Sequence, residues 1–263
     1  MKGPVIRSLG NGVLRLVLND PSSRNSLSEA MIRTLHAALE EAAGDPDVRV
    51  IVISAMGPVY CSGHNLKEIT AHRSDKDGGE GYFKTLFQAC AELMLAIVRN
   101  PKPVIAEVQG MASAAGCQLV ASCDLAVASE AAQFCTPGVN IGLFCSTPMV
   151  ALSRNVASKH AMEMLLTGDA VTAEDALRIG LVNRVVTPNM LAEAVDALAG
   201  RIAEKSQMTV KTGKAAFYAQ KELSLDEAYA FTAKVMAENM MKRDAEEGIS
   251  AFIGKRAAKW TDQ

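Results

Sequence analysis

Between Leu14 and Ala128, short apolar runs of strand character take turns with stretches of helical period, and this alternation constrains the fold more than any other feature. Leu14, Leu16 and Leu18 alternate as in a half-buried strand, whereas Val48-Arg49-Val50-Ile51-Val52-Ile53 is β-branched throughout and suits deeper burial. Between them Ser26-Leu27-Ser28-Glu29 has the form of a capping box, and Met31, Leu35, Leu39 and Ala42 follow at helical spacing, predicting a helix capped at Ser26. A second cycle runs through a helix over Gly81–Arg99, the breakers Pro101 and Pro103, a strand over Val104–Val108, a helix from about Ala115 and a strand over Leu125–Ala128. Such a sequence of elements predicts an α/β core. From about Pro188 strand signals stop, and Met190–Lys205, Thr209–Lys221, Leu225–Met241 and Ala245–Lys255 read as helices. The expected division is therefore an α/β core over 1–187 and a helical region over 188–263 that packs on the core or on another subunit. Thr70–Tyr82 is polar and contains Gly78, Gly79 and Gly81, which predicts an exposed loop, either a flap over a ligand or a plain surface connection.

With 263 residues, 49% of them hydrophobic, the chain has ample material for a core. A net charge of −2 with both signs dispersed leaves no basic stripe for nucleic acid or an anionic membrane, so small-molecule chemistry is the expectation. Apolar runs such as Leu93–Val98 are too short to cross a bilayer, and the N-terminus has neither a signal-like stretch nor an Arg-rich presequence. A cytoplasmic protein is expected. Cys61, Cys90, Cys117, Cys123, Cys135 and Cys145 form no C-x-x-C pair, and His36, His64, His72 and His160 do not cluster with them. No metal, disulfide framework or cofactor is expected, and most of the thiols read as small buried hydrophobes.

Two segments carry chemistry. Ser62-Gly63-His64-Asn65-Leu66 and Ala112-Ser113-Ala114-Ala115-Gly116-Cys117-Gln118 each stand at the end of a predicted strand, with side chains small enough for backbone N–H groups to approach a ligand. The second opens a helix, whose first N–H groups are unpaired and favour an anion or a developing oxyanion. A tight turn selected for close packing would use the same residues, and spacing alone does not bring the two segments together.

Ser62-Gly63-His64-Asn65-Leu66-Lys67-Glu68-Ile69 resembles the Ala-Gly-Ala-Asp-Ile-Lys-Glu-Met type of segment of the enoyl-CoA hydratase/isomerase (crotonase) superfamily. Ala114-Ala115-Gly116-Cys117-Gln118-Leu119 is similar to its Gly-Gly-Gly-Cys-Glu-Leu segment, and Cys123–Ala128 matches the family's next stretch of chain. Arg24–Leu27, Phe134–Gly142, Leu166–Gly168 with Ala173–Val182, and Gly248–Arg256 extend the resemblance over essentially the whole chain. Within the superfamily, Ser62-Gly63-His64, Ala114–Gln118 and Gly142-Leu143-Phe144-Cys145-Ser146-Thr147-Pro148 single out one group.

The resemblance implies a spiral of β-β-α units with a helical C-terminal subdomain that assembles trimers, often paired into hexamers. It implies an acyl-CoA thioester as substrate, its carbonyl oxygen held by the backbone N–H groups of His64 and Ala115. Ser62, Gly63, His64, Asn65, Leu66 and Lys67 would meet the adenine and pantetheine part, with Arg24, Asn25 and Ser26 assisting, and Lys255 would approach the nucleotide phosphates from a neighbouring subunit. Lys255 read by itself is equally a solvated helix-end cation. Family hydratases use two glutamates to handle protons at the α- and β-carbons; here those positions are Gln118 and Gly138, neither able to exchange a proton. Asn140, Cys145 and the His64 imidazole are the remaining candidates, while Glu107 is a strand carboxylate. Three functions stay open: a family enzyme that stabilises an enolate-like oxyanion without the standard acid and base; a decarboxylase of malonyl-type CoA esters, which needs no base in the forward step; and an acyl-CoA binding protein without turnover.

Overall fold

The β2 strand (Val13–Leu18) buries Leu14, Leu16 and Leu18 and turns the residues between them outward, while β3 (Val50–Ala55) is buried along nearly its whole length, as their apolar patterns require. The computed structural model describes residues 3–263. Before β2 stands β1 (Val5–Gly10), and between β2 and β3 lies α1 (Glu29–Gly44). The chain continues through β4 (Val59–Cys61), α2 (Leu66–Ala71), α3 (Glu80–Val98), β5 (Val104–Val108), β6 (Met111–Ser113), α4 (Ala115–Ser122), β7 (Leu125–Ser129) and β8 (Gln133–Cys135). It then forms α5 (Ser146–Leu152), α6 (Ser158–Thr167), β9 (Val171–Thr172), α7 (Ala173–Arg178), β10 (Arg184–Val186), α8 (Leu191–Ala203), α9 (Gln207–Gln220), α10 (Leu225–Met240) and α11 (Arg243–Ile253).

Two sheets result, with strand orders β1-β2-β3-β5-β7-β10 and β4-β6-β8-β9. Each of the pairs β3 and β4, β5 and β6, β7 and β8 puts its first strand in the larger sheet and its second in the smaller before the chain returns through helices. The pairs stack in parallel register, so the chain advances as a spiral of β-β-α units. The main core lies between the sheets and helices α1, α3 and α4, built on fully buried Leu16, Leu35, Ile53, Leu93 and Phe134. Glu80–Val98 is long and apolar enough to cross a membrane by length and composition, but here its Leu86, Cys90, Leu93, Met94 and Ile97 face this core.

Two local expectations are corrected. The cap of α1 is Ser28, whose Oγ accepts the Met31 N–H at 3.2 Å, and not Ser26. The Leu27 N–H donates to the Gly63 carbonyl at 2.8 Å, which holds residues 26 and 27 extended beside the Gly63 loop and delays the helix. The polar stretch 70–82 is mostly structured: α2 runs to Ala71, a 3-10 turn covers His72–Ser74, and α3 begins at Glu80. Asp77 closes the remaining turn by accepting the N–H groups of Gly79 (3.0 Å) and Gly81 (2.9 Å), and the His72 ring stacks on Tyr82 at 3.6 Å.

The helices after Pro188 divide in two. α8 sets Leu191, Val195, Leu198 and Ala199 against Val50, Val52, Ile105 and Val127 on the outer face of the large sheet. α9 lies against the end of α3 and the segments just before β5 and β7, fastened by Lys214, whose Nζ donates to Asp124 (2.6 Å) and to the carbonyls of Ile97 (3.1 Å) and Lys102 (3.0 Å). The Tyr218 hydroxyl donates to the second Asp124 oxygen at 2.9 Å. Burial lowers the Lys214 pKa, and the adjacent Asp124 carboxylate opposes that shift.

Candidate active site

β4, β6 and β8 are parallel neighbours, with Cys61 beside Ala112 and Ser113 beside Cys135, so all three leave the small sheet at its carboxyl edge. That edge is where open parallel sheets receive ligands. Three connections emerge there: Ser62–Asn65, Ala114–Ala115 and Thr136–Gly138. The first two meet. Gly63 has φ +87°, and a Cβ added to it would lie 3.0 Å from the Ala114 Cβ and 3.3 Å from the Ala115 nitrogen. A Cβ on Gly116 would lie 2.2 Å from the Cys61 carbonyl oxygen, so the first turn of α4 rests directly on the end of β4. Ala115 is the first residue of α4, and its N–H has no acceptor within the helix. Ala114, which precedes it, has φ +50° and ψ −116°. A non-glycine residue in such a region costs about 1–3 kcal/mol, and its N–H bond to the Cys135 carbonyl at 2.9 Å helps to hold it. This strained residue sets the direction of the Ala115 peptide.

The side chains around the two loops offer little proton-transfer capacity. Gln118, one turn into α4, is 4% exposed, and its Oε1 has no hydrogen-bond partner; it lies in the wall of a cavity of about 780 Å³. Gly138 is closed off. A Cβ there would lie 2.6 Å from the Leu143 carbonyl oxygen and 2.9 Å from the Cys145 Sγ, so the loop from 138 to 145 fills the space in which a longer side chain would begin. Burial pushes the Cys145 thiol up, which keeps it protonated at neutral pH. Asn140 is exposed, and its amide nitrogen lies against Gly168 beyond α6, away from the two loops. The His64 ring packs edge-on against Phe87 with centroids 5.3 Å apart, and both ring nitrogens are buried without partners. Burial lowers its pKa, opposed only by the backbone of Leu27, so the ring is neutral.

Asn25 is wholly buried and engaged with backbone: its amide donates to the carbonyls of Met56 and Val59, both at 2.8 Å, and its Oδ1 accepts the Asp20 N–H at 2.9 Å. It fixes the turn that carries Arg24, which is exposed at φ +58°. The Ser26 Oγ is buried and unpartnered. The Ser62 hydroxyl donates to the Ser23 carbonyl at 3.3 Å, and the Asn65 Oδ1 caps α2 through the Lys67 N–H at 3.1 Å, leaving Leu66 and Lys67 exposed. Lys255 is exposed just past α11, at φ +49°, and touches none of the three connections. Glu107 belongs to β5 of the large sheet and is paired with Arg15 of β2 at 2.6 Å. Phe87, Thr136 and the cavity wall from α9 were not expected from the sequence. Thr136 is fully buried at the end of β8 with its hydroxyl unpartnered, a signature that only the fold reveals. Among the described residues no three His, Cys, Asp or Glu side chains come together as a metal site.

A family model described as enoyl-CoA hydratase/isomerase matches residues 8–263. The chain belongs to the enoyl-CoA hydratase/isomerase family. It is 50% identical over 251 residues to the Xenopus laevis enoyl-CoA hydratase domain-containing protein 3, covering 95% of this chain and 84% of the relative. The human protein of that name is 47% identical over 253 residues, covering 96% of this chain and 82% of the relative. This is the group that the Ser-Gly-His and Ala-Ala-Gly-Cys-Gln segments single out. Among solved structures, the human domain-containing protein 3 superposes with a TM-score of 0.93 at 46% identity, covering 98% of this chain and all of that one. An enoyl-CoA hydratase from Mycobacterium smegmatis reaches a TM-score of 0.95 at 48% identity, covering 98% of this chain and 99% of that one. These crotonase-fold neighbours agree with the spiral of β-β-α units. One expectation is overturned: the vertebrate relatives are mitochondrial by name, so the assignment to the cytoplasm does not stand.

Proposed function

We propose that this family member binds an acyl-CoA thioester at the carboxyl edge of the small sheet and polarises its carbonyl with the N–H groups of His64 and Ala115. The observation that carries this reading is the closeness of the two loops: a Cβ on Gly63 would stand only 3.0 Å from the Ser113 carbonyl oxygen and 3.3 Å from the Ala115 nitrogen. Because the donors are backbone groups, the side chains of His64 and Ala115 are free to vary. Each such donor stabilises a developing oxyanion by on the order of 3 kcal/mol. Ser62–Lys67 and Arg24 would line the approach of the CoA moiety, with Asn25 and Ser26 shaping it and Lys255 reaching the phosphates from a neighbouring copy. The exposed apolar residues Leu225, Tyr229, Met236, Phe252 and Ile253 of α10 and α11 support assembly into a homotrimer or a dimer of trimers.

Hydration by the two-carboxylate route has no support from Gln118 and the closed-off Gly138. This favours a second reading, decarboxylation of a malonyl-type CoA ester. The C–C bond to the carboxylate breaks, carbon dioxide leaves, and the electron pair passes into the thioester as an enolate held by the two N–H groups. A proton from water then completes the α-carbon. No base acts in the forward step. Calorimetry with acetyl-CoA tests the shared premise, and absence of binding overturns it. Turnover assays with crotonyl-CoA and methylmalonyl-CoA separate the reactions: hydration at ordinary family rates would refute the role given to Gln118 and Gly138, release of carbon dioxide would favour the second reading, and binding with no turnover of either would leave an acyl-CoA binding protein.

A further inference from the structure

The cavity beside Gln118 is built from Met94 and Val98 of α3, Ala121 of α4, Ala151 of α5, and Ala215 and Tyr218 of α9. Its inner end is defined by Gln118, whose N–H donates to the Ala114 carbonyl at 3.0 Å and which therefore stands one helical turn from the Ala115 N–H. α3 and α4 both lead from the carboxyl edge of the sheets back to the starts of β5 and β7, so Arg99 and Ser122 lie at the far end. From Ala91 to Arg99 the wall runs about 12 Å, at about 1.5 Å of rise per residue. The middle is apolar and the far end is cationic. There Arg99 stands with Lys211 and Lys214 of α9, whereas Lys221 comes ten residues after Lys211, about 15 Å along the helix, and lines another part of the wall with Arg154 and Glu222, which stand 3.5 Å apart. Lys214 is neutralised by Asp124, whereas Arg99 and Lys211 have no ion-pair partner among the described residues.

We propose that this cavity receives the acyl chain of the thioester and that its cationic end selects a chain of medium length ending in a carboxylate. The inference rests on the thioester reading proposed for the two loops. A carbonyl oxygen seated at Ala115 directs its acyl carbons past Gln118, which stands one helical turn away and forms part of the cavity wall. A plain alkyl chain would bring its terminal methyl against Arg99 and Lys211 and leave their charge unanswered. A terminal carboxylate meets them, and the apolar walls account for the methylene groups between.

The test is calorimetry on the intact chain with suberyl-CoA and octanoyl-CoA, matched in carbon count, and with acetyl-CoA as reference. Suberyl-CoA is expected to bind roughly fivefold or more tightly than octanoyl-CoA at low ionic strength, with the ratio shrinking as salt is added. The double variant Arg99→Gln with Lys211→Gln should bring that ratio toward unity. Equal affinity for the two long thioesters, or a preference that survives the double variant, overturns the inference. If acetyl-CoA itself fails to bind, the thioester reading falls first; if acetyl-CoA binds and the long-chain pair is not discriminated, only the selection at the far end is wrong.

Discussion

The Gly63 and Ala114 connections and the Gly138 connection leave the same sheet edge one strand apart, yet they have fared differently. In the first two, His64 and Ala115 stand where the superfamily pattern has Ala and Gly, and the backbone approach is intact. In the third, where the resemblance implies a glutamate at position 138, the Leu143 carbonyl and the Cys145 sulfur lie against Gly138 and leave no room for a side chain to begin. Chemistry carried by the peptide backbone tolerates side-chain change as long as the chain path is kept. Chemistry carried by a side chain is lost with that side chain, and close packing then removes the room for its return.

The contrast is broken most directly at Gly63. Gly63→Val places a branched side chain at positive φ against Ala114 and Ala115, and thioester turnover or binding should fall by about 100-fold or more, as when an oxyanion donor is displaced. Circular dichroism checks that the fold persists; undiminished binding in a folded variant would remove the first two loops from the site. The second measurement concerns restoration. Gln118→Glu combined with Gly138→Glu should give no gain in hydration of crotonyl-CoA, and overpacking at 138 should cost about 1–3 kcal/mol in urea unfolding. A glutamate at 118 would be a buried acid without a counter-charge, so its folded pKa would rise above about 4.3 and its stability contribution would decline as pH increases past that value. A large gain in hydratase activity would show that the third loop opens readily and that the contrast is one of residue identity alone.

Much of this was legible in the sequence because it is local. The strands at Leu14–Leu18 and Val50–Ile53, the helix opening at Ala115 and the helical run after Pro188 follow from periodicity. The illegible part depends on partners distant in sequence. Ser26 reads as a cap until Leu27 is found bonded to Gly63, and the blocking of Gly138 comes from a carbonyl in a loop with no sequence signal of its own. The two-sheet arrangement was likewise hidden, since nothing in Val50–Ala55 and Val59–Cys61 says that adjacent strands belong to different sheets. The cavity needs α9, held in place by the pairing of Lys214 with Asp124, 90 residues apart in the chain.

Two smaller effects sharpen the comparison. Ala114→Gly relieves a conformation that alanine dislikes, and thermal or urea unfolding should show a gain of about 1 kcal/mol, while a loosened Ala115 peptide should weaken thioester binding modestly. A loss of stability instead would mean that the Ala114 methyl packs better than its backbone strain suggests. The smallest effect belongs to His64. Its folded pKa lies below the unfolded value, so its contribution to stability is present above about pH 6.5 and is lost as the pH falls through that value toward the folded pKa. The difference in melting temperature between pH 7.5 and pH 5.5 should therefore be smaller in His64→Leu than in the unmodified chain. Identical differences would place the titration elsewhere.

Gly116 never needs to touch a ligand, yet a side chain there would strike the Cys61 carbonyl oxygen at 2.2 Å. The helix would have to lift off the strand, and the gap between the two loops would widen with it. The width of the proposed anion seat is thus gauged by an atom that is missing from the helix underneath it. In a survey of every single substitution, position 116 should be among the least forgiving for thioester binding while remaining invisible in any contact map drawn around the bound substrate.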